Sequence, residues 1–180
     1  IGVVEPVGKI GRLVSKYRRE KESEYPYFHT DASQAPNYLE TTRDALHADL
    51  ITLDASKIYG PKGAGALVVR PTISIRPILM GGGQEFGLRS GTESLALIAG
   101  LVRAFEIAQR DREKEFARVF KLRQLFIKKL REGSPEVVVH GNDQVLPNIV
   151  SVGLPHTMSE MILLALDRDG VAVSAGSACS

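Results

Sequence analysis

Between Tyr27 and Val69 three short apolar runs, Tyr27-Phe28-His29, Leu50 to Leu53 and Ala64 to Val69, are each closed by polar or small residues. Runs of that length between turn formers predict strands. Pro36 to Ala48, with an Asn, two Thr, an Asp and a helical turn, lies between the first two. Strands therefore alternate with helical crossovers, which predicts an α/β sheet. In such sheets ligands gather where strands end and loops begin.

The flanking segments read as helices. From Pro6 to about Lys21, Val7, Ile10, Val14 and Tyr17 fall at helical spacing while Lys16, Arg18, Arg19 and Lys21 fall elsewhere. Ser90-Gly91-Thr92-Glu93 has capping-box spacing, and Leu97, Ile98, Leu101, Phe105 and Ala108 continue a helical pattern. The pattern runs through Phe116, Phe120 and Leu130 to the stop at Gly133-Ser134-Pro135. Some 40 residues is long for one globular helix, which predicts a break near Asp111 or a bridge between two domains. Beyond it, Val137 to Val139, Asn148 to Val152 and Val171 to Val173 read as strands and Ser159 to Asp167 as a helix, the start of a second α/β unit.

Composition narrows the functional classes. The 180 residues carry 23 Lys+Arg and 21 Asp+Glu, a formal charge of +2, with 43% hydrophobic residues. That is globular composition without the basic excess of a nucleic-acid binder, and Glu20, Glu22 and Glu24 offset the basic run of the first helix. The longest apolar stretch, Leu95 to Val102, falls well short of the ~18 residues of a membrane span. One cysteine, Cys179, forms no internal disulfide, so a reducing, cytoplasmic setting is expected. The start at Ile1, without Met, is expected of a piece cut from a longer polypeptide.

Three features carry chemistry: the lysine in Lys57-Ile58-Tyr59-Gly60-Pro61-Lys62-Gly63, the acid in His29-Thr30-Asp31, and Cys179. Each also has an ordinary use, as a solvated loop lysine, a turn former and a small buried hydrophobe. The glycine turn lacks the Gly-Lys-Ser/Thr of a nucleotide loop. His29, His47, His140 and His156 are scattered without metal-ligand spacing, and no metal is assigned.

Taken together, four segments change the reading: His29-Thr30-Asp31-Ala32-Ser33-Gln34-Ala35; Ser56-Lys57 through Gly63; Gly81-Gly82-Gly83-Gln84-Glu85 with Arg89-Ser90-Gly91-Thr92; and Ser174-Ala175-Gly176-Ser177-Ala178-Cys179-Ser180. Their order and spacing strongly resemble the cysteine desulfurases, the NifS/IscS-like branch of the class V aminotransferases. These are pyridoxal phosphate (PLP) enzymes of fold type I, aspartate aminotransferase-like. The resemblance implies that Lys57 forms the Schiff base with PLP, that Asp31 faces the pyridine nitrogen, and that Gln34 bonds the phenolic oxygen. It implies that Thr92 reaches the PLP phosphate of the other subunit of a homodimer. Cys179 matches the nucleophile that takes sulfur from L-cysteine, leaving L-alanine and a persulfide for an acceptor protein such as an iron–sulfur scaffold. Family members are about twice as long. The chain thus matches the second half of the large PLP-binding domain (1–110), a bridging helix (111–133) and the beginning of the small domain (134–180).

Two places depart from the family pattern. Where a Ser or Thr commonly stands three residues before the lysine, and a His directly before it, this chain has Asp54 and Ser56. A carboxylate repels a phosphate dianion unless it turns away or is neutralised, and Ser56 is the substitute donor there. Phe86 stands where a charged residue is common. The competing readings are a non-catalytic homologue or fragment, and a selenocysteine lyase or related class V aminotransferase.

Overall fold

The computed structural model describes residues 1–142 and 144–176. Two compact units divide the chain: Glu5–Ala117, and Ile1–Val4 with the chain from Arg118 on.

In the first unit, α1 (Val7–Glu20) follows the expected periodicity, with Gly11 its buried residue. Strands β1 (His29–Asp31) and β2 (Leu50–Asp54) pair in parallel, His29 opposite Leu50 and Asp31 opposite Thr52. Their crossover holds α2 (Arg43–Leu46), capped by Thr42, whose side chain accepts the Ala45 N–H. β3 (Gly65–Val69) pairs antiparallel with β2, Thr52 opposite Leu67 and Asp54 opposite Gly65. The sheet order is β1-β2-β3. Only β1 and β2 are thus joined by the expected helical crossover; β2 reaches β3 through a 3-10 turn, Ala55–Ile58, and a glycine turn.

β1 begins two residues later than the apolar run Tyr27-Phe28-His29 predicts. The Phe28 main chain is committed to Asp49: its N–H donates to Asp49 Oδ2 at 2.8 Å, and its carbonyl accepts the Asp49 and Leu50 N–H groups. The ladder therefore starts at His29. Alternation then puts His29, Asp31, Thr52 and Asp54 on one face, with Thr30, Ile51 and Leu53 on the other. Ile51 packs with Ala32 and Ala48, backed by Phe28, Ala35, Leu46 and Leu53.

The long helix α3 is one continuous element, Leu95–Gly133. It does not break at Asp111, and it starts after the expected cap because the Ser90 hydroxyl donates to the Met80 carbonyl at 3.2 Å. Leu101 of α3 packs with Ala55 and Ile58, joined by Ala64, Ala66, Ala104 and Phe105.

In the second unit β4 (Val138–His140) and β5 (Ser151–Gly153) form an antiparallel pair, followed by α4 (Ser159–Arg168). Val3 bridges Val145, and the Leu146 N–H donates to the Gly2 carbonyl. Val171 to Val173 form no strand; the Val171 N–H caps α4 by donating to Leu166 O at 2.8 Å. Among the described residues no helix is long and apolar enough to cross a membrane.

Asp49 binds three segments of the first unit together. It is 3% exposed, and Arg18 of α1 and Arg70 after β3 pair with its two oxygens. Burial alone would raise this carboxyl, but the Arg18 hydrogen bond, the Phe28 N–H and both guanidinium charges hold it below the ordinary range. Asp49→Asn should cost about 3 kcal/mol, as when a buried pair loses one member, read from urea unfolding. Because the folded carboxyl is depressed, its stabilisation is present above the ordinary value of about 3.9 and lost as pH falls through the lower folded value. The variant's unfolding midpoint should therefore approach that of the wild type in acid.

Candidate active site

Parallel pairing places the C-terminal ends of β1 and β2 side by side, and the sequence-predicted residues follow both ends. Asp31 closes β1, with its carboxylate Oδ1 accepting the Ser33 N–H at 2.9 Å. The Ser33 side chain, then its main-chain N–H, hold the Asp31 carboxyl below the ordinary range, with a smaller pull from His29. Asp31 is an exposed anion on an open sheet face. His29 shares that face, its Nε2 2.8 Å from Thr52 Oγ1. Gln34 is exposed three residues on.

Lys57 lies in the 3-10 turn that follows β2. Ala55 and Ile58 bury the turn's inner side, at 0% and 2% exposure, which leaves Ser56 and Lys57 facing out. Among the described residues no ion pair holds the Lys57 ammonium. Asp54 caps the turn: Oδ1 accepts the Ser56 N–H at 2.8 Å and Oδ2 accepts the Ser56 hydroxyl at 3.0 Å. Both oxygens of the residue that departs from the family pattern are thus turned onto its own loop. The Ser56 hydroxyl proton is equally engaged, so donating to a phosphate would mean leaving Asp54.

The turn can lie close to α3 because the contact residues are small. A Cβ on Gly60 would stand 2.9 Å from the Ala55 carbonyl and 3.1 Å from Ala104 Cβ, and one on Gly100 would stand 2.8 Å from the Pro61 ring. Thr92 is exposed on a separate loop after the 3-10 turn Glu85–Gly87, in which Phe86 is left-handed and 99% exposed. That loop is closed by the Gly91 N–H donating to Gln84 Oε1 and by a bridge between Leu79 and Arg89. Among the described residues Thr92 makes no hydrogen bond to Asp31, Gln34 or Lys57. Cys179 lies outside the described residues. No cluster of potential metal ligands occurs among the described residues.

The sequence profile described as Aminotransferase class-V matches residues 1–180. The chain belongs to the class V aminotransferase family. Members of that family are PLP enzymes, and this chain is similar to several of them. Cysteine desulfurase IscS of Dictyoglomus turgidum is 39% identical over 181 residues, the match taking in 100% of this chain and 44% of that protein. Human cysteine desulfurase is 38% identical, with 38% of its length covered. The crystal structure of a NifS-like protein from Rickettsia africae superposes with a TM-score of 0.88 at 32% identity, covering 98% of this chain and 47% of that one. The fold is therefore part of a fold type I transferase, and the chain spans less than half the length of these class V relatives.

The residues present fit PLP on the evidence of their own chemistry. Asp31 is an anion held below the ordinary carboxylate range by Ser33, as a partner for a protonated pyridine nitrogen must be ionised, and Lys57 has an exposed amine at the neighbouring strand end that no ion pair holds among the described residues. Two residues escaped the sequence reading: Asn37, which donates to the Lys57 carbonyl, and Gln109 of α3, which donates to the Pro36 carbonyl. A lone Asn after a proline, or a Gln within an amphipathic helix, carries no signal beyond turn or solvated face.

Removing the Asp54 cap should loosen the lysine turn. Asp54→Ala should lose about 1 kcal/mol and Asp54→Asn much less, since Asn caps nearly as well, as measured by denaturant unfolding.

Proposed function

We propose that this chain is the lysine-bearing part of a PLP-dependent cysteine desulfurase, working as a homodimer. The observation that carries the reading is the placement of an ionised Asp31 and an outward-facing Lys57 at adjacent ends of a parallel strand pair. The names of the similar proteins support the choice of reaction.

Bound PLP supplies an aldehyde that an amine can capture and a ring that accepts electrons from a substrate's α-carbon. Asp31 would face the ring nitrogen with negative charge, which favours a proton there, and the Ser33 donors hold its carboxyl below the ordinary range. Gln34, exposed on the same loop, is a side-chain amide able to bond the phenolic oxygen. Lys57, exposed in the turn after β2, would provide the capturing amine and a base for proton transfer. Ser56 would contact the phosphate once its hydroxyl leaves Asp54, and Thr92 would offer a hydroxyl to the phosphate of the other subunit. The Cys179 thiolate attacks the sulfur of L-cysteine; the new S–S bond forms as the C–S bond breaks, the electron pair stays with the carbon, and protonation there leaves L-alanine. The persulfide is then passed to an acceptor protein, such as an iron–sulfur scaffold, in the cytoplasm.

The natural full-length protein, incubated with PLP and reduced with borohydride, should carry a pyridoxyl group on Lys57 in peptide mapping. Lys57→Ala should lose the adduct, and Cys179→Ala should keep it while sulfur transfer falls to background. A folded wild-type protein without an adduct on Lys57 would turn the reading to a non-catalytic homologue. Adduct loss in Cys179→Ala would overturn the division of roles.

A further inference from the structure

A four-residue 3-10 turn cannot satisfy its own last carbonyls from within. In the turn Ala55–Ile58 the Ala55 carbonyl accepts the Gly60 N–H at 2.8 Å. The Lys57 carbonyl is served from outside, by Asn37 Nδ2 at 3.0 Å. Asn37 is only 8% exposed, so this bond forms away from competing water. The loop that carries Asn37 is held in turn from α3. Gln109 Nε2 donates to the Pro36 carbonyl at 2.6 Å and to the Leu39 carbonyl at 3.3 Å, one hydrogen for each. Pro36 is itself fully buried.

The Asn37–Lys57 bond joins the two segments of the candidate site at a second point. The first point is the ladder, where Asp31 stands opposite Thr52. The turn is already held at its start, where the Ala55 N–H donates to the Ala64 carbonyl at 3.0 Å and Ala55 and Ile58 pack on Leu101. The Asn37 bond fixes the Lys57 main chain against the loop that also bears Asp31 and Gln34. One Asn37 amide hydrogen goes to that carbonyl, and through this bond the residue acts on the main chain of Lys57.

We infer that Asn37 is a positioning residue for Lys57, with Gln109 as its support on α3. This rests on Lys57 being the cofactor lysine. Asn37→Asp keeps the side-chain shape but replaces the donor with oxygen facing a carbonyl, and Gln109→Glu does the same one link further out. Both are made in the full-length PLP-loaded protein, beside a control, Thr42→Ala, which removes the α2 cap elsewhere in the crossover. Three quantities are read: PLP affinity from borohydride-trapped pyridoxyl-Lys57, the pH midpoint of the visible band of the bound cofactor, and the melting temperature.

Asn37→Asp should weaken PLP binding about tenfold, the scale of one lost hydrogen bond, and shift the pH midpoint. Gln109→Glu should move both readouts the same way by less, and the double variant should be no worse than Asn37→Asp. Thr42→Ala should lower the melting temperature and leave both cofactor readouts unchanged. Wild-type affinity and midpoint in folded Asn37→Asp, or equal shifts in Thr42→Ala, would overturn the inference and leave the cofactor reading standing. Should Asn37→Asp fail to fold, Gln109→Glu decides by the same criteria. Absence of pyridoxyl-Lys57 in the wild type would remove the cofactor reading and this inference together.

Discussion

Two strands that run in the same direction cannot be joined by a tight turn; the chain must travel back the length of the sheet before the second begins. Here that return occupies residues 32–49, and its geometry follows from the parallel pairing of β1 with β2. Both strands then finish at the same edge, so the residues after each end become neighbours despite their separation in sequence. The return path is held down by its own short turns, by the small buried side chains Ala32 and Ala48, and by the Asp49 carboxylate at its close. Had β1 and β2 been antiparallel, Asp31 and Lys57 would have left opposite edges.

The second strand pair works differently. β2 and β3 are antiparallel, and the short link between them carries Lys57. A turn this tight has more polar main chain than it can satisfy alone, and the protein meets the demand with three side chains of different origin. Asp54 caps the start, Asn37 the end, and Gln109 holds Asn37's loop. The inner side is sealed by Ala55, Ile58 and Leu101. Rigid backing with an outward amine is what a lysine needs if it is to meet a ligand repeatedly in one geometry. The Asp54 carboxylate, repulsive to phosphate on charge alone, has been drawn into this local capping.

Much of the architecture was legible because burial writes periodicity into the chain. The runs at Leu50 and Ala64 read as strands, and the helical spacing of α1 and α3 is plain in the sequence. The beginning of β1 was not legible, since the apolar residues Tyr27 and Phe28 look like strand while Phe28 has its main chain bonded to Asp49. Nor was the start of α3, where Ser90 has the right spacing for a cap but spends its hydroxyl on Met80. Val171 to Val173 has strand composition, yet its first N–H closes a helix. In the candidate site, Asp31 and Lys57 were singled out from the segments around them, and the fold sets them at neighbouring strand ends. Asn37 and Gln109 were not, because a side chain that acts by reaching another segment's carbonyl leaves no local pattern.

The packing of α3 on the lysine turn restricts where that helix can change length. Gly100 and Gln109 lie at the two ends of the stretch in which Leu101, Ala104 and Phe105 pack with the turn residues Ala55 and Ile58. One residue added or removed between them rotates everything beyond by about 100°. The glutamine would then point away from Pro36 while the glycine still received Pro61. Drift in length across related sequences can be absorbed in the loops at either end of α3, but the interval from Gly100 to Gln109 is counted in whole residues.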